Sequence, residues 1–501
     1  MAADLLCLAK MCYDVEQSVS ESVSMTALLD VLANGLNGGD AAIKLEAAST
    51  VRRLLSIGEE PPIQESIDAG VIQPLVQALA DSACPRLQFE AAGALTNITA
   101  GTSEQIQAVV DEGAIPLFMQ LLASPDDAVR VQSVLALGHI ADDSTAHRDL
   151  VLEAGVMQPL LNLLRDTETV FALLGAVTWT LVGLCRGRPR PLFGLVSPAL
   201  PPLVGLINTP QQDEIVLINA CWALAYLTDG PAGQIDTFMG TGACRRVVDL
   251  LTNASLEVQT SALRTVGNVL TTGDDHHRQA LIECGALPQL SVLLLSPRND
   301  LRKQACWVVS NFVAGTRQHI QAVIDGGLVL RLVEMVATDE WWVGQEAAWV
   351  IANAATAGSQ QQTIVALNGL TNILYEGWQV QVREGYPINL WCMMVQEAGG
   401  LDKIIELQDS EDPTIAHKCR AILEAHFPRA GGGDQYPLGH DSDGADEGGE
   451  AAHDDDSYGD IDSDDYVETG VVPAADTDGK KKSAGSLTQS EPSESISDGD
   501  S

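Results

Sequence analysis

The sequence is poor in aromatic and in basic residues. Of its 501 residues only 4% are Phe, Trp or Tyr, and 28 Lys and Arg stand against 68 Asp and Glu, a formal net charge of −40. A chain so acidic repels phosphate groups, so the charge argues against nucleic acid as a partner. It favours a basic partner, through attraction and through electrostatic steering.

Membrane, redox and catalytic signals are also missing. No apolar run reaches the roughly 18 residues of a membrane span, and the first residues lack a basic leader, so we expect no membrane association. The ten cysteines include no C-x-x-C pair, which is typical of reduced thiols in the cytosol or nucleus. No phosphate-loop, nucleophile-elbow or zinc-protease motif occurs. We therefore expect no enzyme, no cofactor and no metal, and interpret His276 and His277 as part of a polar loop between helices.

One local pattern recurs along the chain. In "QACWVVSNFVAG" (residues 304–315), a tryptophan and an asparagine stand four residues apart within an apolar, Ala-rich segment. We call these two places the Trp position and the Asn position. Similar segments follow one another every 42 to 44 residues, with a degenerate first copy at Ser49. Their Trp positions hold Gly93, Leu135, Trp179, Trp222, Arg264, Trp307 and Trp349.

A second pattern keeps the same period. A glycine precedes an apolar helical segment in most units, where it predicts a left-handed turn that ends the preceding helix. These glycines are Gly70, Gly113, Gly155, Gly285 and Gly327. Each unit then contains three helices, and a period near 42 is typical of armadillo-type repeats. The sequence predicts an all-α fold, a right-handed armadillo-repeat superhelix (an α-solenoid) whose third helices line a concave surface.

The expected domain organisation has three parts. Residues 1–23 are an N-terminal segment and residues 24–427 the repeat array. Residues 428–501 are predicted to be a disordered acidic tail, because they contain almost no large aliphatic residues. The period breaks after Trp349: Asn372 follows Asn353 by only 19 residues. A repeat shortened near residues 358–372 fits either a local distortion of the array or an incomplete sequence.

The paired Trp and Asn positions predict a peptide-binding surface. Residues four apart share one helix face, so a repeated pair forms a row across stacked units. Asn can pair with the main chain of an extended peptide, and indole rings can hold the stems of Lys or Arg. Nearby acids would give the charge preference; the candidates are Asp143, Asp229, Asp274, Asp275 and Glu346. The competing interpretation is that the tryptophans fill the core and the asparagines cap turns.

The motifs resemble those of one known family. "NACWALAYLTDGP", "LRTVGNV", "KQACWVVSNFVAG", "QEAAWVIANAA" and "GGLDKIIELQ" are similar to segments of importin-alpha, over roughly residues 24–427. The resemblance implies a nuclear import adaptor that binds the basic nuclear localisation signals of cargo proteins at two sites. It also implies shuttling between cytoplasm and nucleus.

The resemblance assigns site residues unevenly. The minor-type site keeps Trp307, Asn311, Trp349, Asn353 and Glu346, with Arg264 and Asn268 beside it, although Gln304 replaces an expected acid. The major-type site is eroded, because Gly93, Leu135, His139 and Gly183 stand where the family has Trp or Asn. Its retained residues are Asn97, Gly101, Asp143, Trp179, Trp222 and Tyr226. We therefore expect the minor-type site to carry most of the affinity for peptides.

Partners beyond the cargo peptide follow from the same resemblance. The family begins with a basic arm that binds importin-beta, whereas the first 40 residues here contain one basic residue, Lys10, which puts recruitment of importin-beta in doubt. Retention of "GGLDKIIELQ" implies an export receptor at the C-terminal repeat. The cluster Lys480–Lys482 is a candidate substitute inhibitor acting in cis. Two alternatives stay open: an armadillo scaffold with acidic ligands, and an adaptor that sequesters basic peptides without import by importin-beta.

Overall fold

The computed structural model describes residues 25–57, 60–165, 170–338, 347, 350–351, 360–397 and 400–427. These residues all belong to one compact unit of the chain. The regular structure in this part of the chain is helical throughout, which confirms the all-α prediction. The N-terminal segment 1–23 and the tail 428–501 lie outside the described residues and stay predictions.

Short and longer helices alternate in a regular order. Residues 25–54 contribute two helices, and from residue 63 to residue 313 each unit has two shorter α-helices followed by a longer one. The helices are α1 (Met25–Asn37), α2 (Ala41–Leu54), α3 (Ile63–Asp68), α4 (Ile72–Leu79), α5 (Pro85–Thr99), α6 (Ser103–Asp111), α7 (Ala114–Leu121), α8 (Asp127–Asp143), α9 (Thr145–Glu153), α10 (Met157–Arg165), α11 (Phe171–Cys185), α12 (Phe193–Val196), α13 (Leu200–Asn208), α14 (Glu214–Thr228), α15 (Ala232–Met239), α16 (Cys244–Leu250), α17 (Leu256–Thr272), α18 (Asp275–Glu283), α19 (Ala286–Leu293), α20 (Asn299–Val313), α21 (Arg317–Asp325), α22 (Leu328–Thr338), α23 (Gln360–Glu384), α24 (Leu390–Glu397), α25 (Gly400–Leu407) and α26 (Pro413–His426).

The long third helices of successive repeats pack side by side. We call the series α2, α5, α8, α11, α14, α17 and α20 the third-helix row, in which each helix contacts the next. Hydroxyl groups also tie neighbours together: Thr96 Oγ1 donates to the carbonyl of Gln132, and Thr180 Oγ1 donates to that of Val134. The row therefore forms one continuous layer on which the Trp and Asn positions recur.

Aspartates fix where several third helices begin. The side chains of Asp40, Asp126, Asp213 and Asp412 accept hydrogen bonds from the first free backbone N–H groups of α2, α8, α14 and α26. Such caps stabilise a helix by about 0.5–2 kcal/mol. Part of the chain's acidity thus has a structural role at helix N-termini.

The predicted glycine turns are confirmed. Gly70, Gly113, Gly155, Gly285 and Gly327 all have positive φ, between 73° and 87°. This left-handed conformation is favoured by glycine because a Cβ would strain it. Gly242, with φ of 75°, makes the same turn before α16 and was missed, because "TGACRRVV" lacks the long apolar run seen in the other units.

The core lies between the helical layers of successive repeats. Helices α11 and α14 are apolar on nearly all sides and are buried accordingly, apart from half-buried residues that include the tryptophans of the row. The described cysteines are free, and burial raises the pKa of the Cys185 and Cys221 thiols to about 12, which keeps them unreactive. Among the described helices, none combines the length and apolar character that crossing a bilayer requires.

The chain around the period break is described only in part, so the shortened repeat near residues 358–372 stays a prediction. Helix α23 runs over 25 residues and contacts α22, α24 and α26. It carries Asn372, which is exposed in the middle of the helix. Between α22 and α23 the structure describes only residues 347, 350 and 351, which are helical.

The interpretation of His276 and His277 as loop residues is wrong. Both lie in the first turn of α18, where Asp274 accepts hydrogen bonds from their backbone N–H groups. His277 Nδ1 in turn accepts from the backbone N–H of Asp274, which closes the turn reciprocally. No cluster suited to a metal ion exists among the residues that the structure describes.

Candidate functional site

Trp307 is held in place by the preceding third helix. Its ring lies against Gly267 of α17, so closely that a Cβ on that glycine would overlap the ring. The guanidinium of Arg264, also on α17, lies over the ring with its Cζ 5.8 Å from the centroid. The indole is half-buried and in contact with a cation, as cation–π recognition requires.

Asn311 lies one turn beyond Trp307 on α20. Its Nδ2 donates to the carbonyl of Trp307, 3.1 Å away within the same helix. Three residues before Trp307, the buried Oε1 of Gln304 has no hydrogen-bond partner among the described residues. The minor-type residues Trp349, Asn353 and Glu346 lie outside the described part of the chain, so their grouping with Trp307 stays a prediction.

Trp179 repeats the arrangement of Trp307 in the N-terminal half. Its ring lies against Gly138 of α8, where a Cβ would again overlap it. The ring of His139 meets it edge to face, with centroids 5.3 Å apart and an interplanar angle of 82°. Half-buried Trp179 is therefore positioned by the helix before it, as Trp307 is.

Two of the predicted asparagines bridge neighbouring repeats. Asn268 is only 7% exposed, and its Nδ2 donates to the carbonyl of Ala225 on the preceding third helix at 2.9 Å. Asn97 Nδ2 donates likewise to the carbonyl of Arg52, at 3.2 Å, and to Ser56 Oγ, at 2.8 Å. These amide donors serve the packing of neighbouring repeats.

His139 makes a similar contact from the Asn position of α8. Its Nδ1 lies 3.3 Å from the carbonyl of Thr96 and 3.3 Å from Thr99 Oγ1, both on the preceding third helix. Burial lowers the pKa of His139, because the charged imidazolium loses its hydration there. The histidine therefore replaces the amide as a link between repeats and stays neutral near pH 7.

Trp222 and Tyr226 form an aromatic pair within α14. Their rings stack with centroids 5.9 Å apart and an interplanar angle of 29°, as expected for residues four apart on one helix. Asn219, which precedes Trp222 by three residues, donates from Nδ2 to Thr178 Oγ1 of α11 at 3.2 Å. This pair lies in the row between the helices that carry Trp179 and Arg264.

Asp143 is occupied by partners within the chain. Its side chain is 8% exposed, and Oδ2 lies 2.6 Å from His147 Nδ1, while Ser103 donates to Oδ1. Gly101, half-buried after the end of α5, lies against the Gln105 side chain that completes the capping box of α6. Both residues thus contribute to the junction between α5, α6 and α8.

Arginines pair with further acids at the ends of the third helices. Asp229 accepts from Arg188 Nη2 at 3.3 Å and from Arg190 Nη2 at 2.8 Å. Asp142 pairs with Arg186 Nη2 at 2.9 Å. The chain therefore neutralises part of its own charge next to the row.

The remaining acid candidates are also engaged. Asp274 caps α18, and Asp275 pairs with Arg278 Nη1 at 3.1 Å. Because both carboxylates are more than half exposed, each such pair contributes little stability and can exchange its partner at low cost. Glu346 lies outside the described residues.

The third-helix row carries half-buried indole rings and side-chain amides, and two exposed carboxylates lie at the start of α18. The recurring Trp and Asn positions predict the rings and the amides but not the glycines that receive the rings. The signal was present: Gly138 and Gly267 stand three residues after the Trp positions of α8 and α17. Each precedes the tryptophan it contacts by 40 or 41 residues, close to one repeat length.

The repeat register and the packed third helices define an armadillo-repeat protein. Models of the armadillo/beta-catenin-like repeat match residues 59–100, 102–142, 195–229 and 274–314, and a model of an atypical armadillo repeat matches residues 389–435. Importin subunit alpha-1a of Oryza sativa subsp. japonica is 42% identical over 424 residues, 80% of each chain. Importin subunit alpha-3 of Arabidopsis thaliana is 38% identical over 439 residues, 82% of each chain. The chain belongs to the importin subunit alpha family.

Solved structures agree on the fold. The crystal structure of an engineered protein, 27% identical in sequence, superposes with a TM-score of 0.63 and covers 79% of this chain and 98% of its own. The α-solenoid of armadillo repeats, predicted from the period of the sequence, is confirmed.

Proposed function

We propose that this chain is a nuclear import adaptor that binds basic nuclear localisation signals along its third-helix row. The observation that carries the proposal is the stack of Arg264 on Trp307. There the row already holds a guanidinium against an indole, with Asn311 one turn away. A Lys or Arg stem of a peptide would pack on the ring in the same manner, which contributes about 0.5–2 kcal/mol for each ring.

Charge supports the same ligand class. The net charge of −40 attracts a basic peptide from a distance, and this attraction falls with ionic strength. An armadillo scaffold for acidic ligands would require a basic row. The charged side chains described beside the Trp positions instead form mixed pairs of arginine with acid, as between Arg190 and Asp229.

Location and further partners complete the proposal. Family membership supports shuttling between cytoplasm and nucleus. The helices α25 and α26, over residues 400–426, supply the C-terminal repeat at which an export receptor would bind. Whether importin-beta is recruited decides between an importing adaptor and one that sequesters basic peptides.

Two separate binding measurements test the proposal. The first titrates a fluorescent lysine-rich signal peptide against the full chain, with a peptide of Glu in place of Lys as the matched control. We expect binding of the basic peptide alone, weakening as salt rises. The second is a pull-down with importin-beta. Equal binding of the acidic peptide would overturn the proposal, and peptide binding without importin-beta binding would assign the sequestering role.

A further inference from the structure

The first repeat reverses the relation between tryptophan and glycine. In α11 and α20 a tryptophan lies against a glycine of the preceding third helix. At α5 the glycine is on the later helix: Gly93 stands at the Trp position, and the side chain of Arg52, from α2, fills the space above it. A Cβ on Gly93 would lie 2.5 Å from Arg52 Cδ. Arg52 precedes Gly93 by 41 residues, the same offset that separates Gly138 from Trp179.

Arg52 makes both kinds of contact that bind a basic side chain. Its Nε lies 2.6 Å from Glu90 Oε2, in an ion pair whose carboxylate is only 6% exposed. Its guanidinium also lies over the ring of Phe89, with Cζ 5.3 Å from the centroid. Glu90, Phe89 and Gly93 all belong to α5, so one turn of a third helix forms a complete site for a cation.

We propose that Arg52 is a specificity-determining residue, the chain's own occupant of the cation site formed by Phe89, Glu90 and Gly93. The inference rests on the proposed function, since it concerns how much of the third-helix row a basic peptide can use. While Arg52 occupies the site, a peptide gains nothing from extending past α8 towards α5. Removal of the guanidinium leaves a buried carboxylate beside an aromatic ring, which an external lysine can then neutralise.

Arg53 provides a matched control. It is the next residue on α2 and carries the same charge, but its side chain is 41% exposed and its Nη2 lies 3.5 Å from Glu46. Neutralising Arg53 changes the net charge of the protein by the same amount as neutralising Arg52. Because Arg53→Ala leaves Arg52 in the site on α5, it shows how much of any change in peptide affinity comes from net charge alone.

The experiment compares two peptides in a protein with Trp307→Ala and Trp349→Ala, so that the remaining binding reports the N-terminal half. Peptides of four and eight lysines extend about 13 and 27 Å, and neighbouring third helices are about 10 Å apart. Only the longer peptide can therefore bridge from Trp179 to α5.

Fluorescence anisotropy measures the affinity of each peptide for the parent and for three variants: Arg52→Ala, Arg52→Ala/Glu90→Gln and Arg53→Ala. Arg52→Met, which keeps an apolar stem over Gly93, provides a second test should Arg52→Ala fold poorly.

We expect Arg52→Ala and Arg52→Met to bind the eight-lysine peptide about tenfold more tightly than the parent does, with the four-lysine peptide unchanged. Adding Glu90→Gln should remove the gain, and Arg53→Ala should show none. Equal gains for both peptides, a gain with Arg53→Ala, or no gain in either Arg52 variant would overturn the inference. If the full chain with Trp307 and Trp349 intact binds neither peptide, the proposed function itself fails.

Discussion

The ring of Trp307 rests on Gly267, one repeat earlier in the chain, and fills the space that any side chain at position 267 would need. Because Trp179 rests on Gly138 in the same manner, the exposed indole face is set by the helix before it. A tryptophan supported by the backbone of its neighbour stays half-buried without collapsing into the core. The geometry of the row therefore depends on glycines as much as on tryptophans.

Substitution of Gly267 tests this support. Gly267→Ala places a Cβ where the Trp307 ring lies, so the ring must move and the affinity for a basic peptide should fall. Overpacking of this kind typically costs about 1–3 kcal/mol of unfolding free energy. Peptide titration and urea unfolding measure the two effects.

The control is Gly205→Ala in α13. Gly205 is an exposed helical glycine with nothing within 4 Å of an added Cβ, so this substitution should be neutral or stabilising. Equal behaviour of the two variants would contradict the supporting role of Gly267.

Substitutions of Asn268 and Asn311 should affect different properties, the first the unfolding free energy and the second the affinity for a peptide. Asn268 is buried and bonded to the carbonyl of Ala225, so Asn268→Ala should lower the unfolding free energy by about 1–3 kcal/mol. The Asn311 side chain bonds only within its own helix among the contacts described, and the carbonyl that accepts from Arg278 is kept in alanine, so Asn311→Ala should change stability by less than about 0.5 kcal/mol yet weaken peptide binding. Urea unfolding and peptide titration of both variants check this. A larger stability loss in Asn311→Ala would contradict the assignment.

His139 predicts a pH dependence of stability. Its folded pKa is below the usual value near 6.5, so the unfolded chain takes up the proton more readily. The stability that neutral His139 contributes is fully present above the unfolded pKa near 6.5. It is lost as the pH falls from there through the lower folded pKa. His139→Asn keeps a donor for the carbonyl of Thr96 but cannot titrate. Urea unfolding at pH 7.5 and 5.5 should show the variant gaining stability relative to the parent at the lower pH; a constant difference would contradict the assignment.

Local signals made the helical repeats and their turns predictable. The left-handed turns at Gly113 and Gly285 follow from backbone sterics, because few other residues adopt positive φ at low cost. The repeat itself follows from apolar periodicity, since one unit cannot bury its apolar face without a neighbour. These features depend on residues that are close in sequence or one repeat period apart.

Side-chain contacts were less predictable where one polar group had several possible partners. The amides of Asn97 and Asn268 were expected to face a peptide, yet their donors bond to the preceding helix, and no sequence pattern distinguishes the two partners. Asp143 was expected to supply charge and instead bonds to His147. The position of Arg52 over Gly93 depends on a long side chain reaching an open space, which periodicity does not reveal.

Peptide binding by the third-helix row is tested by titrating one basic signal peptide against the parent, Trp307→Ala and Trp179→Ala. Loss of a ring worth about 1–2 kcal/mol should weaken binding about tenfold. We expect the larger loss for Trp307→Ala, because the minor-type site keeps more of its rings and amides. A larger loss for Trp179→Ala would contradict the assignment of the dominant site, and unchanged affinity in both variants would contradict peptide binding by the third-helix row.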